Sequence, residues 1–63
     1  MNLRQYRLSI DKTQEQCAKE LEITKEYFSD IERGKHYPSR ILSEKIVKWS
    51  NYHITYTELW WQK

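Results

Sequence analysis

The sequence predicts an all-α fold, a single five-helix domain covering residues 1–63. Three observations carry this expectation. No stretch alternates apolar and polar residues with β-branched enrichment, so strand signals are weak. Apolar residues recur at helical spacing, as Leu3, Tyr6 and Ile10 do at i, i+3 and i+7. From Thr13 to Gly34 the chain reads as two short helices joined by a tight corner, with a capping signal at its start and a glycine at its end.

The elements follow in order. A first helix runs from about Asn2 to Ile10, and Asp11-Lys12 connects it to the second. Thr13 starts helix two with a capping box, Thr13-x-x-Gln16, in which the hydroxyl takes an orphan amide and the glutamine reaches back. Its buried face is Cys17, Ala18 and Leu21. The corner is Glu22-Ile23. Thr24 caps helix three, and Ile23 with Phe28 forms a hydrophobic staple that sets the entry angle of the chain. Phe28 and Ile31 face inward, and Gly34 ends the helix in the left-handed conformation. After the loop Lys35–Pro38, Ser39 caps helix four, whose apolar stripe is Leu42, Ile46 and Trp49 and whose stop is Asn51. Thr55-x-x-Glu58 is a second capping box, with Ile54 stapled to Leu59, and starts a short fifth helix.

Composition limits the function classes. Sixty-three residues make one domain, too few for an enzyme cleft plus a scaffold. A chain of this size buries only about 60% of its unfolded surface, so a partner subunit would help its stability. With 32% of residues charged no membrane span is expected, and Arg4 and Arg7 interrupt any apolar leader. The lone Cys17 cannot form an internal disulfide and suits a reducing, cytoplasmic setting. Cys17, His36 and His53 lack metal-ligand spacing. Gly34, the only glycine, leaves no glycine-rich phosphate loop. The expectation is a non-enzyme with no metal, no cofactor and no small-molecule substrate. The net charge of +2 is compatible with a nucleic-acid partner without proving one.

Two helices joined this way form a helix-turn-helix, whose use is to project one helix into the major groove of DNA. Thr13-Gln14 opens the unit and Ala18 is a small residue within it. Cys17, Leu21, Ile23, Phe28 and Ile31 are its apolar positions, Glu32-Arg33-Gly34 ends it, and Pro38 follows. With these residues the chain resembles the Cro and phage-repressor (XRE-like) helix-turn-helix family over nearly its whole length, most closely from Arg7 to Pro38. In that family the two helices touch at the position of Ala18, where a larger side chain would wedge them apart. Two departures stand out. Glu22 occupies a corner position that is often glycine, at a steric cost on the order of 1 kcal/mol. The link from Ser50 to His53 is also longer than usual.

The resemblance implies roles for particular residues. Arg7 and Glu32 match a partly buried structural salt bridge, the alternative being two solvated charges. Lys25, Glu26 and Asp30, with Tyr27 beside them, occupy base-reading positions of a recognition helix spanning about residues 24–33. Lysine suits guanine O6 and N7, and a carboxylate can accept from cytosine N4. Two acids facing a polyanion are costly unless each finds an amine, and that cost can itself reject wrong sequences. The alternative is a solvated helix face, although like charges at i and i+4 weaken a helix. Thr13, Gln14, Arg33 and Lys35 are placed on phosphates, and Arg40 toward the minor groove. Each is otherwise an ordinary surface residue.

Trp49, Tyr52, Tyr56, Trp60 and Trp61 crowd the C-terminal region. Trp49 and Leu59 are expected in the core. Adjacent residues on a helix cannot both point inward, so Trp60 and Trp61 suggest an exposed patch and a two-fold dimer interface. Such a dimer would set two recognition helices about 34 Å apart on a palindromic operator. The alternative is a wide core stripe in a monomer. The reading is a sequence-specific double-stranded DNA-binding transcriptional regulator, first of all a repressor. Its competitor is a protein-interaction module of the same fold, an antirepressor or antitoxin-like partner that does not bind DNA tightly.

Overall fold

The chain forms five helices in a computed structural model that describes residues 1–60. They are α1 (Leu3–Ser9), α2 (Gln14–Leu21), α3 (Lys25–Glu32), α4 (Arg40–Trp49) and α5 (Tyr56–Trp60), and no strand occurs among the described residues. Each helix starts on a side chain that takes an orphan amide. Thr13 Oγ1 accepts from the Gln16 amide at 3.1 Å, and the Gln16 side chain accepts from the Thr13 amide at 2.9 Å. Asn2 and Gln5 form a capping box of the same kind on α1. Thr24 caps α3 and Ser39 caps α4. Thr55 and Glu58 exchange bonds at the start of α5.

The first four helices end on one shared backbone hook. Asp11, Glu22, Gly34 and Asn51 adopt left-handed conformations, with φ of 57°, 62°, 76° and 56°. In each case the next amide reaches back five residues. Lys12 bonds the Arg7 carbonyl, Ile23 that of Ala18, Lys35 that of Asp30 and Tyr52 that of Val47. This is the Schellman pattern, which satisfies carbonyls that a helix end otherwise leaves orphaned. Only one of the four hooks uses glycine. The corner between α2 and α3 therefore has its left-handed residue at Glu22, despite the missing glycine.

The core comprises Leu3, Cys17, Ala18, Leu21, Phe28, Ile31, Leu42, Ile46, Val47, Ile54 and Leu59. α2 packs mainly on α3, with Ala18 buried in the core, and α4 packs on α5. Ile23 lies partly buried against the core at the corner. Two expectations need correction. Trp49 lies at the rim of the core, because its indole N–H needs a partner and finds Glu20 Oε1 at 2.8 Å. Its ring meets Tyr6 edge-on at 5.2 Å. Helix four also buries Ser43 and Val47, so its inward face is broader than the three-residue stripe. In the longer link after α4, Ser50 is fully buried. Its hydroxyl donates to the Val47 carbonyl at 2.9 Å and accepts from the Ile54 amide at 3.0 Å.

Candidate nucleic-acid interface

Helix α3 turns Phe28 and Ile31 into the core, and its 100° step per residue then fixes what faces outward. Lys25, Glu26, Ser29, Asp30 and Arg33 share the outer side. With Gln14 from the start of α2 they line an open cleft of about 310 Å³. Two consecutive elements, the second of them capped by Thr24, thus present one polar surface.

The surface is held from beneath by Glu32. Its carboxylate accepts from Arg7 Nε at 2.6 Å and from Gln14 Nε2 at 2.8 Å. The side chains of Arg7 and Glu32 are only 13% and 3% exposed, so water offers little compensation for a lost partner. Arg7 also donates from Nη1 to the Lys12 carbonyl at 3.1 Å. One buried charge pair therefore joins α1, the start of α2 and the end of α3. Gln14 has one amide hydrogen committed to this network.

The other expected site residues separate into groups. Lys25, Glu26 and Lys35 are exposed and take part in no ion pair among the described residues. Asp30 is engaged: Arg33 Nη2 lies 3.3 Å from Oδ1, and His36 Nε2 lies 3.6 Å from Oδ2. The Arg33 guanidinium offsets part of its negative charge, which lowers the repulsion that two outward acids would impose on a polyanion. Tyr27 packs its ring against the core and does not line the cleft. Two residues along a helix means about 200° of rotation, which puts Tyr27 on the flank opposite Lys25.

Thr13 is exposed and serves as the α2 cap. Arg40 lines a separate cleft of about 610 Å³ with Glu44, Tyr56 and Trp60. Trp60 is half-exposed, with its indole N–H on the Ser43 hydroxyl at 2.8 Å. Trp61 lies outside the described residues. Ser29 and His36 belong to the surface although no sequence motif singled them out. Helical spacing from Lys25 and Glu26 would have found Ser29, whereas the pairing of His36 depends on the loop.

A family model described as a helix-turn-helix domain matches residues 1–48. The chain belongs to this helix-turn-helix family. The match takes in α1, α2, α3 and all but the last residue of α4, and α5 lies beyond it. Comparison with curated proteins gave no match, and comparison with solved structures gave none. Three further features of the helix-turn-helix domain complete its description. Cys17 is buried and burial pushes its thiol pKa up, which makes it a poor nucleophile. No helix among the described residues is long and apolar enough to cross a membrane, and no group of three metal-ligating side chains occurs among them.

Proposed function

We propose that this helix-turn-helix domain binds double-stranded DNA sequence-specifically and acts as a transcriptional regulator, repressing by occupying its operator. The observation that carries the reading is the outer face of α3. Lys25 and Glu26 stand there without ion-pair partners among the described residues, on a helix whose orientation is fixed by the buried Arg7–Glu32 pair. A surface held rigidly and left polar suits the reading of base edges, since ordering costs fall when the geometry is pre-set.

Lys25 and Glu26 take the base-reading roles in this proposal. Asp30 contributes chiefly by holding Arg33 and His36 at the end of α3, and Arg33 and Lys35 meet phosphate. Gln14, with one amide hydrogen on Glu32, offers its remaining donor at the start of α2 to a phosphate oxygen. The half-exposed Trp60 on α5 supports a two-fold dimer, which would pair two α3 helices on a palindromic site.

A salt titration of duplex binding by fluorescence anisotropy tests the reading. Log affinity is expected to fall steeply with log salt, and Lys35→Ala to flatten that slope by about one unit. Sedimentation at micromolar concentration reads the dimer separately. Absent or salt-independent binding to every duplex, with tight binding to a protein, would favour an interaction module of the same fold.

A further inference from the structure

We propose that Ser29 is a base-reading residue of α3, donating its hydroxyl hydrogen to a purine N7 in the major groove. This rests on the DNA-binding reading above and adds a specificity determinant to it.

The five serines of the chain make the case by contrast. Four have hydroxyls with work inside the fold. Ser9 donates to the Tyr6 carbonyl at 2.7 Å, and Ser39 accepts from the Leu42 amide at 3.1 Å. Ser43 donates to the Pro38 carbonyl at 3.4 Å and accepts from the Trp60 indole. Ser50 pins the link after α4. The fifth, Ser29, makes no side-chain hydrogen bond among the described residues, not even the common return bond to the carbonyl four residues back.

Helix stability does not account for it either. Ser29 lies in the interior of α3, away from either cap, where serine is a poorer helix former than alanine. Its place on the surface does give it a use. Ser29 lines the cleft one turn beyond Lys25 and Glu26 and one turn before Arg33, in the middle of the outward face. A long side chain there would hold the helix away from the groove floor. A serine lets the helix backbone approach and still leaves a hydroxyl to bond with.

The neighbouring groups define what that hydroxyl adds. Lys25 donates only, as a cation, and Glu26 accepts only, as an anion. Asp30 is engaged by Arg33 and His36. Ser29 supplies the neutral donor on α3 itself, while the remaining amide hydrogen of Gln14 lies at the start of α2. N7 is the acceptor that adenine and guanine share, and a thymine presents a methyl group on the same edge. The expected result is a purine preference at one step of each half-site.

The test is a cycle between protein and base. Wild type selects its sites from a random duplex library. Wild type and Ser29→Ala are then measured on the selected duplex and on copies carrying a 7-deazapurine at single positions. At one position wild type should lose about three- to tenfold in affinity on losing N7. Ser29→Ala should lose that factor on the natural duplex and nothing more on the 7-deaza copy, with its melting temperature unchanged or raised. Independent losses, or a natural-duplex effect below about twofold, overturn the role of Ser29 while leaving DNA binding intact. Binding by wild type without base preference has the same meaning. Absence of salt-dependent duplex binding removes both readings together.

Discussion

Replacing Arg7 by methionine should be among the most damaging single changes outside the apolar core. The substitution keeps the length and most of the apolar stem of the side chain and removes the guanidinium. Glu32, 3% exposed, is then left with only the Gln14 amide as a partner. Removing one half of a buried pair costs roughly 3–5 kcal/mol, because a desolvated charge stays behind. A chain of 63 residues has a total stability of roughly 3–9 kcal/mol. The loss is therefore a third of the stability or more, and a melting shift on the order of 20 °C. Urea and thermal unfolding followed by circular dichroism give both quantities. The double variant Arg7→Met/Glu32→Leu should recover most of the loss, since no charge is left buried. Gln14 loses a partner in that variant, but it is partly exposed and water can take its place. A cost for Arg7→Met below about 1 kcal/mol, the scale of a solvated bridge, would refute the view that this pair clamps α1 to α3.

Three further outcomes are expected. Glu20 is held below the usual carboxylate range by the hydrogen bond from Lys12, helped by Trp49, and Glu22 by the one from Lys45. Their folded pKa values lie below the unfolded ones, so the stability they supply is present above about pH 4.3 and is lost as pH falls through the lowered values. Urea midpoints should drop in acid, and the drop should shrink in Glu20→Gln/Glu22→Gln; an equally steep fall in that variant would exclude both pairs as the cause. Tyr52 has a φ of 67° and an exposed ring, so Tyr52→Gly should raise stability by about 0.5–1 kcal/mol in a denaturant titration, and a loss would show that the ring has a structural partner. Cys17, buried and with its thiol pushed up, should react with a thiol reagent at neutral pH only as fast as the domain opens, and faster in Arg7→Met; modification at the rate of a free thiol would place it at the surface.

The sequence by itself determined the helical class and nearly every helix start. Starts are local: Thr13 with Gln16, Thr24, Ser39 and Thr55 with Glu58 each satisfy an amide within three residues, so the signal lies in adjacent letters. The inward residues of α2 and α3 were legible for the same reason, as helical spacing maps position onto face. The family match over residues 1–48 covers the stretch that holds this pattern. Helix ends were legible as positions, at Asp11, Glu22, Gly34 and Asn51, but less so as a shared backbone hook. Three of the four left-handed hooks lack glycine: Asp11 and Asn51 are types that tolerate the left-handed region, whereas Glu22 enters it at a steric cost.

Tertiary structure alone decided how the outer face of α3 is shared out. Spacing places Tyr27 beside Glu26 in the chain, yet the core claims its ring. It places Asp30 on the surface, but only the loop after Gly34 brings His36 to its carboxylate. The link from Gln14 to Glu32 spans 18 residues and exists because α2 and α3 pack together. Charge partners and burial are relations between distant segments. A local pattern can therefore name a recognition helix, while only the packed fold shows which of its side chains remain free to act.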